Sequence, residues 1–73
     1  MDKYELQEKA EEILMDIETE RGMPFHQVWR DTLLMLMKVH AVGAPAIHRI
    51  ADTINQLDYE AGTLPAKPPF NLG

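Results

Sequence analysis

Three histidines, His26, His40 and His48, are the side chains of this sequence best suited to proton chemistry or metal ligation near neutral pH. A helical metal pair needs two ligands four residues apart, and no two of these histidines have that spacing. His40 and His48 flank Gly43, so a metal held there would need a carboxylate from elsewhere. His40 is better explained by the C-terminal end of a helix, where a protonated imidazole is favoured. Acid pairs such as Glu8 and Glu12 have no histidine partner and read as solvated surface. The chain contains neither Cys nor Ser, and Thr19, Thr32, Thr53 and Thr63 stand in no motif that would activate a hydroxyl. Four scattered glycines make no phosphate-cradling loop. The expectation is a non-enzyme with no catalytic residue, no metal and no cofactor.

What remains is recognition by surfaces, and these must be positioned by a small fold. Seventy-three residues make one domain with a limited core. With no cysteine, neither a disulfide nor a thiolate metal site supplements that core, and a cytoplasmic rather than secreted setting is expected. Met1-Asp2-Lys3 followed by acids does not read as a secretory leader. The net charge of −5 resides in residues 2–21, which hold eight acids against three bases; the rest of the chain is balanced.

Hydrophobic spacing predicts an all-α fold with helices over about 2–21, 24–42 and 45–61, giving a three-helix domain (1–62) followed by an extended Pro-rich tail (63–73). In the first helix Asp2 and Glu5 have capping-box spacing. Leu6, Ala10, Ile13, Leu14 and Ile17 share the core stripe, and Gly22 ends the helix. The middle segment, PFHQVWRDTLLMLMKVHAV, is the most apolar and is expected to be the most buried. Phe25, Val28, Trp29, Leu33, Met35, Leu36, Val39, His40 and Val42 fall on one arc, interrupted by Thr32. That arc covers half the circumference, more than one neighbour can bury, and Trp29 should anchor the core within it. Arg30, Asp31 and Lys38 interrupt the segment, which is too short to span a membrane. Gly43 and Pro45 then close this helix and open the third. There Ile47, Ile50, Ile54, Leu57 and Ala61 mark the buried side, and Gly62 ends it.

Three surfaces are candidates for partner binding. Leu34 and Met37 lie outside the middle arc and would be exposed. Tyr4, Met15, Glu8, Glu11, Glu12 and Glu18 share the outer face of the first helix. That face either keeps the chain soluble or docks a basic partner, such as a nucleic-acid-binding protein blocked by acids standing in for phosphates. In the tail TLPAKPPFNLG, Phe70 and Leu72 would give an extended chain two apolar anchors for this protein or a neighbour, while Leu64 and Phe70 could instead fold back over core. A second reading treats the Gly-containing turn and AIHRIADTINQL as a helix-turn-helix, with Ala46, His48, Arg49 and Asn55 facing a groove. The acidic balance and a pI near 5.0 weigh against it. The expected function is therefore a small accessory, assembly or inhibitory subunit, of a kind found in bacteria and phages. It would act by surface occupation on a protein partner or a second copy, not on nucleic acid or a membrane.

Overall fold

The structure, a computed structural model, describes residues 3–64. It is all-α: α1 spans Lys3–Arg21, α2 Gln27–Lys38 and α3 Ala44–Glu60, and each helix packs against the other two. No strand occurs among the described residues. The tail from residue 65 onward, with Phe70 and Leu72, and the capping residue Asp2 lie outside the described part.

The core is assembled from one stripe of each helix. Ala10, Leu14 and Ile17 of α1 meet Leu33 and Met37 of α2 and Ile47, Ala51 and Ile54 of α3, with Phe25 of the α1–α2 linker joining them. Ile13, Trp29, Leu34, Leu36, Val42 and Ile50 are half-buried against this cluster. The stripe expected for α1 is the one observed. That expected for α3 fails at its C-terminal end, where Leu57 and Ala61 are exposed and Asn55 is buried. The cause is the guanidinium of Arg21, which reaches from the end of α1 toward Asn55 and Asp58 and turns that polar side of α3 inward.

Helix α2 is shorter than expected at both ends, and α3 buries more side chains than it does. It begins at Gln27, three residues beyond Pro24, because Phe25 is used as a linker anchor. The Phe25 N–H donates to Glu18 Oε2 at 2.8 Å, and its ring lies under the Arg21 guanidinium, 4.0 Å from Cζ to the ring centroid. His26 then caps the helix, its Nδ1 accepting from the Val28 N–H at 3.2 Å. At the other end Gly43 is not the stop. It is extended (φ −74, ψ 160) and N-caps α3, with Pro45 in the first turn. The chain reverses instead at Ala41, whose φ is +53. The neighbouring Val42 N–H closes onto the Leu36 carbonyl at 3.0 Å. Gly22 (φ +83) and Gly62 (φ +81) do end α1 and α3 as expected. At Gly62 the closure is a Schellman motif: Gly62 N–H donates to Tyr59 O and Thr63 N–H to Asp58 O. It turns Leu64 back into a buried position, as one reading of the tail anticipated.

An alanine in the left-handed region carries about 1–2 kcal/mol of strain that glycine does not. Part of the gain from replacing it is offset by the larger unfolded-state entropy of glycine, about 0.4–1 kcal/mol. Ala41 is exposed and loses little packing on truncation. Ala41→Gly is therefore expected to raise the melting temperature by a few degrees, roughly what 0.5 kcal/mol gives in a domain this size. Calorimetry checks this, and a lower melting point would show that the alanine methyl is stabilising the turn.

Candidate interaction surface

The residues that sequence spacing singled out distribute very differently from one another in space. Met37 is only 4% exposed and belongs to the core, and Leu34 is half-buried against it, so this pair does not form an outward patch. The physical reason is rotational. Apolar residues occupy most of α2 apart from Gln27, Arg30, Asp31, Thr32 and Lys38, so a wheel admits several core orientations. The neighbours α1 and α3 settle on the side centred near Leu33 and Met37. The residues displaced outward are Val28, Met35 and Val39, which are 63%, 47% and 69% exposed. Trp29, expected as a core anchor, lies half-buried on the border between the two faces.

Val28, Thr32, Met35 and the C-cap Val39 follow one another at spacings of four, three and four residues, which places them in a single line along α2 and its end. Thr32 does not break the apolar character of that line at its donor, because its hydroxyl donates to the Val28 carbonyl at 2.8 Å. Asp31 and Lys38 run along one border of the line, while Trp29 and Leu36 run along the other, continuous with the core. Gln27 Nε2 donates to Asp31 Oδ1 at 2.8 Å, and Lys38 Nζ to Gln7 Oε1 of α1 at 3.3 Å.

On α1, Tyr4, Glu8, Glu11, Glu12 and Met15 are exposed, as expected of an outer face. Gln7 Nε2 donates to Glu11 Oε1 at 3.0 Å within it. Glu18 is a correction. Its carboxylate faces the linker, accepting from the Phe25 N–H and from Arg30 Nε at 3.3 Å. It is thereby committed to holding α2 in place rather than displayed to a partner.

Of the four residues in the groove-facing reading of α3, Asn55 is fully buried, with its Oδ1 accepting from Arg21 Nη1 at 2.9 Å. It cannot meet a base edge without unfolding the end of the helix. Ala46 is half-buried, and His48 and Arg49 are exposed. Beside them Asp52 has its carboxyl pushed above the usual range, chiefly by burial, with Glu20 adding to the effect and His48 opposing it.

Sequence reasoning also missed Arg21, which counted there only as one of the three bases of residues 2–21. Its side chain is 1% exposed and pairs with Asp58 Oδ2 at 3.0 Å. A cleft of about 400 Å³ adjoins the pair, lined by Met23, Pro24, Phe25, His26, Trp29 and Thr63. No group of three or more His, Cys, Asp or Glu side chains suited to a metal occurs among the described residues, and no described helix is long and apolar enough to cross a membrane. No family model, curated protein or solved structure matches the chain.

Proposed function

We propose that this protein is a small non-catalytic interaction subunit that works by occupying a partner surface with the outward face of α2. The observation that carries the reading is the line Val28, Met35 and Val39, all exposed on a helix whose opposite side already fills the core. Single exposed apolar residues are ordinary, but several in one contiguous line mark a contact face. A methionine at its centre suits a surface that must adapt to another. The exposed acids of α1 supply solubility and, against a basic partner, steering.

The test is the size of the protein in an extract of its native cells, crosslinked before lysis so that a reversible contact survives dilution. The wild-type chain should elute well above its 8.3 kDa mass. A Met35→Glu, Val39→Glu variant that keeps its helical circular dichroism should return to the monomer position. Elution of the wild-type chain as a free monomer would overturn the reading.

A further inference from the structure

We propose that the occupant of this face is a second copy of the same chain, docked with its α2 antiparallel to the first about a twofold axis. The inference rests on the interaction reading above and adds to it both the identity of the partner and its orientation.

The line's spacing of four, three and four is the same pattern read in either direction. A twofold axis running between the two helices, perpendicular to α2 and level with the midpoint of residues 33 and 34, places Val28 opposite Val39 of the other copy and Thr32 opposite Met35. Each small β-branched residue then meets its like at the ends, and the long flexible methionine fills the space above the threonine in the middle. The Thr32 hydroxyl donor is already satisfied by the Val28 carbonyl, so closing the seam leaves no donor of that side chain orphaned.

The borders decide between orientations. When two helices pack antiparallel, each border of one seam faces the same border of the other; when they pack parallel, it faces the opposite border. Asp31 and Lys38 share one border. In the antiparallel arrangement Asp31 of each copy lies beside Lys38 of the other, and the symmetry makes that pair twice. Trp29 and Leu36 meet across the remaining border and extend the seam into apolar surface that is already half-buried. In the parallel arrangement the carboxylate and the ammonium would instead face Trp29 and Leu36, desolvating charge against apolar groups. Charge complementarity therefore selects the antiparallel pair.

The contact is small. Twelve residues of helix run about 18 Å, and one helix face buries less than the roughly 1,200 Å² at which stable interfaces begin. The dimer should thus be reversible and dependent on concentration.

The absence of cysteine from the whole sequence makes the test clean, because any introduced thiol is the only one. Residues 28 and 39 are about 16 Å apart along the helix, whereas a disulfide needs Cα atoms within about 4.4–6.8 Å. Full-length Val28→Cys and Val39→Cys proteins are each oxidised alone and as a mixture, with wild-type circular dichroism as the check on folding. The expected result is a rapid crosslink in the mixture alone, joining one chain of each kind. Efficient crosslinking of either variant with itself would overturn the antiparallel arrangement. No crosslink, together with a monomer in sedimentation at concentrations well above that of the crosslinking mixture, would overturn self-docking. That outcome leaves the interaction reading to stand or fall on the cell-extract measurement. The border charges give a second readout. Asp31→Lys or Lys38→Asp alone should weaken the dimer by about three- to tenfold, and the double exchange should restore it. Failure of the exchange to restore affinity would place those residues outside the contact.

Discussion

Asp58→Ala should destabilise the domain by about 3 kcal/mol or more, the range measured when one partner of a buried ion pair is removed. Total stability for 73 residues is expected to be roughly 4–11 kcal/mol, so much of it would be lost. The guanidinium of Arg21 is shielded from solvent, and Asp58 supplies the carboxylate that balances it. Asn55 Oδ1 and the face of Phe25 complete its surroundings, while Arg21 Nε and Asn55 Nδ2 find no acceptor among the described residues. With Asp58 gone, the charge must either remain buried and unpaired or drag the end of α1 toward water. Asp58→Asn keeps an acceptor and should lose less. In an Arg21→Met background Asp58→Ala should be far milder, because the charge that needed balancing is absent. Urea melts of the four combinations measure this coupling. Equal effects of Asp58→Ala with and without Arg21 would mean that the guanidinium escapes into the adjoining cleft and the pair contributes little.

This cluster also shows where the sequence stopped being informative. The helices themselves were legible because Leu6, Ala10, Ile13, Leu14 and Ile17, and Ile47, Ile50 and Ile54, repeat at helical spacing between residues that stop or start helices. Gly22, Pro45 and Gly62 behave as local chemistry dictates. Arg21 with Asp58 was not legible, because the partners are 37 residues apart and nothing in either one's neighbourhood marks it as buried. Glu18 was lost in the same way. It looks like one more acid on an acidic face, and only the return of the chain at Phe25 reveals it as the acceptor that holds the linker and Arg30. The ends of α2 differ from the expected ones because a proline and a glycine look like its limits in the sequence, whereas a histidine side chain and an alanine with positive φ perform those roles. In each case the missing information was tertiary, and no local preference opposed it strongly enough to leave a trace.

The orientation of α2 is the one such error with a consequence for function, and it yields the second large effect. Met37→Ala should cost about 2–5 kcal/mol, the range for truncating a buried Leu, Ile or Met, because Met37 lies in the core with Leu33. Val39→Ala, two residues on and 69% exposed, should change monomer stability by no more than about 0.5 kcal/mol. The half-circumference arc drawn from spacing implies the reverse ranking, with Val39 inside and Met37 out. Denaturant melts of the two variants at low concentration, where self-association does not contribute, therefore decide how α2 is rotated. Trp29→Ala should fall between them, since the indole is half-buried and loses only part of the roughly 3–5 kcal/mol of a fully buried aromatic. If Val39→Ala proves as damaging as Met37→Ala in the monomer, then Val28, Met35 and Val39 face the core. No apolar line is then left for a partner, and both the interaction reading and the twofold seam built on it fall together.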